Sequence, residues 1–416
     1  MQLILAIMLF NIMACKDIPP DYIQLEDPQD SVITPILSIW QKPLLPDTAL
    51  CICSNPIVYN GNVMASGYRF STNGNSVFQM YNGADGSLIW TWENDLANGG
   101  AQINHTPYAS CLVGNRLAFV TSANIMCINA DNGTNIWSTN PIYAMEELYS
   151  FGNTLFQTYI SSPLDWDSCS MMAADINSSS SSWDTTFTMH KKDGYMPSIP
   201  PASFEIGLNG DTIMYYQNRQ YNFDAIDGRI DMYAYNLSAD SIIWESTDIE
   251  LDGNSAIYSP LIDGDYLYFK GSRNVFCFNK NTGEQVWKRG FATMEEDLLY
   301  SNLLIVDDKL IVKTSGRSIY GLNLMTGSIM WENQEAGATP TEIASLNNII
   351  YYGSGGDGKL HAVSAETGEQ LWAFLPPNRA LVGNNASFYY AVAIDPVNYR
   401  LYVPDGFFLI CYQLEH

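Results

Sequence analysis

The chain has 416 residues, 47% of them hydrophobic and 15% charged, and a net charge of −25. That length exceeds one ordinary core and suits a repeat array or several domains. The surplus of acids excludes a general basic surface for nucleic-acid phosphates or anionic lipid headgroups, and it favours solubility.

In chain order, residues 1–14, MQLILAIMLFNIMA, carry no charged side chain and are mostly apolar. The apolar run is shorter than the roughly 20 residues of a membrane-spanning helix and reads as the core of a signal peptide. It leads into Ile12-Met13-Ala14-Cys15, which resembles a bacterial lipobox. The resemblance implies cleavage before Cys15, a lipid on its sulfur, and a membrane attachment through that lipid in the cell envelope, at the outer membrane. No Lys or Arg precedes the apolar run, a departure from the usual export signal. Residues 15–30, rich in Pro and acids, read as a flexible tether, and residues 31–416 as one domain.

A period shows in the Trp residues at 40, 90, 137, 183, 244, 287, 331 and 372. From Trp90 onward the residue ten places earlier is mostly small: Met80, Cys127, Ala173, Ala234, Cys277, Gly321 and Ala362. The residue eight places earlier is short and polar, as in Asn82, Asn129 and Asn279. The residue four places earlier is Gly86, Gly133, Gly283, Gly327 or Gly368, with Ser179 and Asp240 as the exceptions. This register predicts a β-hairpin. The polar side chain bonds turn amides, Gly takes the positive φ, and Trp lies on the return strand where it can dock between sheets. Other short aromatic and β-branched runs separated by Gly, Asn and Asp give four strands per unit of about 45 residues, the pattern of a β-propeller blade.

TGxxxW units such as 367–372 resemble the repeat of pyrroloquinoline-quinone (PQQ) propellers. That superfamily includes quinoprotein dehydrogenases and BamB-type outer-membrane assembly lipoproteins. Blades are numbered by the Trp that closes each, beginning with Trp90. The match is degenerate in blade three, where Ser179 replaces Gly, and in blade four, where Asp240 does. Trp40 has no blade before it, while the C-terminal strand around Cys411 has no Trp after it. The N-terminal strand is therefore expected to complete the last blade. The expected fold is an all-β, eight-bladed propeller of four-stranded antiparallel sheets, closed so that no edge is left open by the ring seam.

The resemblance to quinoprotein dehydrogenases would imply a quinone in the central channel, a bound cation and often an adjacent Cys-Cys pair. The sequence has no adjacent cysteines and no CxxCH, and no cofactor or metal site is expected. Cys127, Cys277 and Cys411 share the small position and read as buried hydrophobes, whereas Cys51, Cys53, Cys111 and Cys169 leave room for one disulfide. Two similar segments, 145–150 and 294–301, precede the expected innermost strands of blades three and six. They offer Glu146, Glu147, Glu295 and Glu296 to a cation or basic peptide at a channel mouth, against a plain solvated loop. His105 also falls ahead of an inner strand and reads as structural. The long gap from Trp183 to Trp244 is read as a loop insertion with interface-type residues Tyr221, Phe223 and Arg229. Its Asp224, Asp227 and Asp231 lack calcium-loop spacing. The expected role is a non-enzymatic, lipid-anchored scaffold that binds an envelope protein. A surface glycan- or ligand-binding lipoprotein and a PQQ-dependent dehydrogenase are the alternatives.

Overall fold

The computed structural model describes residues 36–415 apart from positions 46, 70–75, 95–102, 104–108, 122–123, 140–143, 161–166, 179–182, 223–224, 226, 252–257, 292–298, 300, 339–340 and 384. Eight antiparallel sheets follow one another along the chain. Blade five shows the plan: Leu261–Asp263, Tyr266–Lys270, Asn274–Asn279 and Gln285–Gly290 pair in sequence order from the inside outward. In the last sheet the order is Ser38–Pro43, Phe408–Gln413, Arg400–Pro404, Ala393–Asp395, so the N-terminal strand is the outer strand of blade eight. Its register sets Trp40 against Cys411 and Lys42 against Leu409. The ring is closed inside a blade, as expected.

Blades one and four depart from the four-strand expectation. Each has an innermost strand broken in two, Cys51–Cys53 with Ile57–Tyr59 and Met196–Ser198 with Ser203–Ile206, so each sheet counts five strands. Pro200 and Pro201 account for the break in blade four, because Pro has no N–H to give the ladder.

The register that repeats in sequence has a direct cause in the ladders. The small residue ten places before each Trp lies straight across from it: Cys127 opposite Trp137, Ala234 opposite Trp244, Cys277 opposite Trp287, Gly321 opposite Trp331, Ala362 opposite Trp372. A bulge skips the residue before the Trp and turns the indole toward the next blade. There its Nε1 donates to a backbone carbonyl. Trp40 reaches Gly83, Trp90 reaches Ala130, Trp137 reaches Ile176, Trp244 reaches Lys280, Trp287 reaches Leu324 and Trp331 reaches Ala365, all at 2.7–3.0 Å. The positive-φ Gly of that next blade is the surface on which the indole rests. A Cβ on Gly283 or Gly327 would stand 2.6 Å from Cδ2 of Trp244 or Trp287. Gly is thus required twice, for its backbone and for its missing side chain.

Blade three breaks the register. Ala173 faces Asp184, and Trp183 stands just outside its strand, half-buried. In blade four Asp240 adopts the left-handed conformation itself, at φ 52°, which a short polar side chain tolerates. Eight apolar clusters hold the molecule together, one at each blade interface. The seam between blades eight and one packs Trp40, Leu44, Tyr402 and Leu409 like any other interface.

Candidate interaction face and central channel

The inner strands place polar groups along the channel wall. In blade seven the segment 341–343 leads into Ala344–Leu346 and carries Glu342. Asn55 of blade one donates its Nδ2 to Glu342 Oε2 at 2.9 Å. Burial pushes the Glu342 carboxyl up to about 7. Asn302 of blade six brackets Ile343, donating to its carbonyl at 3.1 Å and accepting from its amide at 2.8 Å. In blade eight the Tyr390 hydroxyl donates to the Cys51 carbonyl. The inner strands of blades six, seven, eight and one are therefore laced together through side chains, one bond reaching past blade eight.

Between blades three, four and five the wall opens into a slot of about 420 Å³. Phe151, Phe204, Leu261 and Ile262 supply its apolar lining, and Ser150, Ser203 and Ser259 its polar edge. Phe204 stacks on Phe156 at 4.5 Å and on Phe151 at 5.4 Å, while Tyr149 lies 6.2 Å away. A stack of this kind gives the slot a rigid floor.

The turns between first and second strands and between third and fourth strands lie together at one end of an antiparallel blade. Those turns are acidic. Asp263, Asp265, Asp307, Asp308 and Glu366 are exposed there. The cations among them are already engaged: Lys280 with Glu205 at 2.6 Å, Lys309 with Asp308 at 2.8 Å, and Arg116 with the Ile176 carbonyl.

Several charges inside the ring serve the fold. Glu250, on the outer strand of blade four, accepts from the amides of Ser272 and Arg273 and from Asn274 Nδ2 in a turn of blade five. Lys313 donates to the carbonyls of Thr314, Gly316 and Gly337. Lys270, its charged form disfavoured by burial, donates to the Leu299 carbonyl. His361 has both ring nitrogens occupied, Nε2 by Asp357 at 3.0 Å and Nδ1 by Gln370 at 3.2 Å. With neither nitrogen left to take a proton from a nucleophile, it is placed as a structural residue.

The sequence expectations fare unevenly. Glu147 belongs to the innermost strand of blade three, Ala144–Phe151, and not to a loop ahead of it. It is partly buried, and its charge acts on Arg219, Tyr149 and Cys169. The Glu146 side chain, Glu295, Glu296 and His105 lie outside the described residues. The expected loop insertion in blade four is a hairpin of long strands, Thr212–Asn222 with Asp227–Asn236, paired through ten residues up to Asn222 and Asp227. Both strands are rich in Tyr, Ile and Met and buried along most of their length, which favours pairing over a loop. Arg229 lies over the Tyr195 ring at 4.1 Å, and Tyr195 in turn donates to Asp227. Tyr221 pairs across to Gly228, whereas Phe223 and Asp224 are outside the described residues. Asp231 accepts from Gln220 and the Asp248 amide, so its carboxylate ties the hairpin together.

The cysteines are free thiols, Cys51, Cys53, Cys111 and Cys169 included, and no disulfide forms among the described residues. Burial pushes Cys127 up to about 11 and Cys277 and Cys411 to about 12, so these thiols stay protonated at neutral pH. Among the described residues no cluster of three or more His, Cys, Asp or Glu is placed to hold a metal ion. Cys15 lies outside the described residues.

Residues 227–396 match the family model of the outer membrane protein assembly factor BamB. Over that stretch the chain is similar to the PQQ-like β-propellers. The curated relatives are partial matches. Tetrathionate hydrolase of Acidithiobacillus ferrooxidans is 26% identical over 182 residues, 42% of this chain and 32% of that protein. Quinoprotein ethanol dehydrogenase of Pseudomonas putida is 27% identical over 134 residues, 27% of this chain and 22% of that one. This propeller chain thus spans about a third or less of the length of either relative. Among solved structures, BamB from Moraxella catarrhalis superposes with TM-score 0.58 at 13% identity, over 92% of this chain and 98% of that one. Quinohemoprotein alcohol dehydrogenase from Comamonas testosteroni gives 0.65 at 9% identity, over 92% and 78%. At such identities these likenesses concern the fold.

The relatives raise the question of a quinone cofactor. PQQ carries three carboxylates and would need cations at the channel wall. Among the described wall residues the channel instead offers the Glu342 carboxylate with Asn55, and Arg219 is desolvated beside the Glu147 charge.

Proposed function

We propose that this propeller is a non-enzymatic protein-interaction scaffold of the bacterial envelope, held to the outer membrane by a lipid on Cys15. The observation that carries the reading is the ring itself. It is closed by its own N-terminal strand and locked at six interfaces by Trp-to-carbonyl bonds, and it presents a row of acidic turns and an apolar slot between blades three, four and five. Rigid, preorganised surfaces bind partners with little ordering cost, and the exposed outer strands also offer edges for strand addition. The match to the BamB family model over residues 227–396 supports an envelope role, and the sequence of residues 12–15 supports the lipid.

The test is purification from membranes. Radiolabelled palmitate should enter the wild-type protein and not a Cys15→Ser variant, and detergent extraction with mild crosslinking should recover one stoichiometric protein partner. Micromolar or tighter PQQ binding together with dye-linked alcohol oxidation would overturn the non-enzymatic reading, and selective capture on a glycan array would replace a protein partner with a carbohydrate.

A further inference from the structure

We infer that the slot between blades three, four and five is a docking site for a cationic peptide segment carrying one apolar anchor residue. The inference rests on the scaffold reading and adds the place and chemistry of one contact.

Three observations combine. The slot, about 420 Å³, has the room of a small-ligand pocket and accepts one large apolar side chain with its flanking backbone. Its floor is fixed, because Phe204 stacks on both Phe156 and Phe151 of blade three and the Ser203 hydroxyl donates to the Pro260 carbonyl across the blade boundary. An anchor entering it meets a surface that needs no rearrangement.

The inner strands also keep a free edge toward the channel. Ser203–Ile206 pairs only with Thr212–Asn222, and Leu261–Asp263 only with Tyr266–Lys270. Backbone donors and acceptors on those edges are available to an extended segment.

Charge chooses the partner. Asp263 and Asp265 are exposed and follow the slot residue Ile262 in the chain. Exposed Asp307 follows on the next blade, where Asp308 is paired with Lys309, and Lys280 is held by Glu205. Among the described residues of these turns, Asp263, Asp265 and Asp307 are exposed acids, while Lys280 and Lys309 are held in ion pairs. An anionic or neutral segment gains nothing from those acids, while lysines or arginines on either side of the anchor gain from both attraction and faster encounter.

The probe is a fluorescein-labelled peptide with two lysines on each side of one leucine, compared with the same peptide bearing glycine in place of leucine. Binding to the full chain is read by anisotropy at low and at physiological salt. The expected result is saturable binding of the leucine peptide, weakened by salt, with the glycine peptide clearly weaker. The double variant Asp263→Asn, Asp265→Asn keeps the carbonyl that Asn281 Nδ2 uses at Asp265 and so spares the turn. It should lose roughly tenfold in affinity at low salt. Ile262→Ser should abolish the preference for leucine over glycine. Glu245→Gln, an exposed charge on an outer strand, should leave binding unchanged. Equal binding of the two peptides, or an equal loss in Glu245→Gln, would overturn the inference. If the membrane crosslinking recovers the same partner from Asp263→Asn, Asp265→Asn as from wild type, the scaffold reading stands and this slot is not its contact. If no partner is recovered from either while the peptide still binds with leucine selectivity, the slot stands and the scaffold reading falls.

Discussion

Replacing Gly327 with Ala tests the double demand made on the turn glycine. Its φ is 64°, and an added Cβ would sit 2.6 Å from the indole of Trp287 on the preceding blade. The left-handed conformation costs an ordinary residue about 1–2 kcal/mol. Pushing the indole off its seat adds an overpacking cost of about 1–3 kcal/mol, because the ring is also pinned by its 2.9 Å bond to the Leu324 carbonyl. The expected loss is about 2–5 kcal/mol. Gly264→Ala is the control. Gly264 has φ 55° in a turn of blade five, and nothing lies within 4 Å of its Cβ position. It carries the backbone cost alone, about 1–2 kcal/mol. Equilibrium urea unfolding of the two variants, at unchanged slope, measures the difference. Equal losses would refute the reasoning, since they would mean that the indole contributes nothing at the place where it touches the glycine.

Glu342 should make stability depend on pH. Burial raises its carboxyl to about 7 in the folded chain from the ordinary 4.5. Between those values the folded chain holds a proton that the unfolded chain has released, so stability falls as pH rises through the window, by up to about 3 kcal/mol once pH exceeds 7. Glu342→Gln should remove that slope, and urea midpoints at pH 5 and 8 that move in parallel for both proteins would contradict it. Asp357 works in the other sense: burial opposes its charge, but the bond and charge of His361, together with bonds from the Lys359 amide and Ser354, outweigh burial and hold its carboxyl below the usual value. Its contribution is present above the unfolded value and is lost as pH falls through the lower folded one, so Asp357→Asn should flatten the acid limb of the unfolding curve. Glu250→Ala leaves the Ser272 and Arg273 amides without their acceptor, costing about 1–3 kcal/mol, and hydrogen exchange at those two amides should accelerate more than elsewhere in blade five.

The spacing of Trp, Gly and small residues determined the architecture, because all three are parts of one local contact. Trp faces the small residue across its hairpin, and its indole rests on the glycine of the next hairpin; a contact that recurs at every blade leaves a period in the sequence. The closing of the ring was legible for the same reason, since Trp40 and Cys411 are the two halves of one such pair. Blade three shows the limit. Its residues 177–180 lack the glycine, and there the register moved by one, leaving Trp183 beside its strand.

The channel and the slot had no such signature. Glu342 meets Asn55 across 287 residues, and Phe151, Phe204 and Ile262 come together from three blades. Nothing in the local sequence of any of them announces the others, since each inner strand is short and differs in where it breaks. Local periodicity therefore settled what kind of ring this chain makes. Only the closing of that ring, which brings distant inner strands to one axis, decided which carboxylate is buried there and which aromatics share a floor.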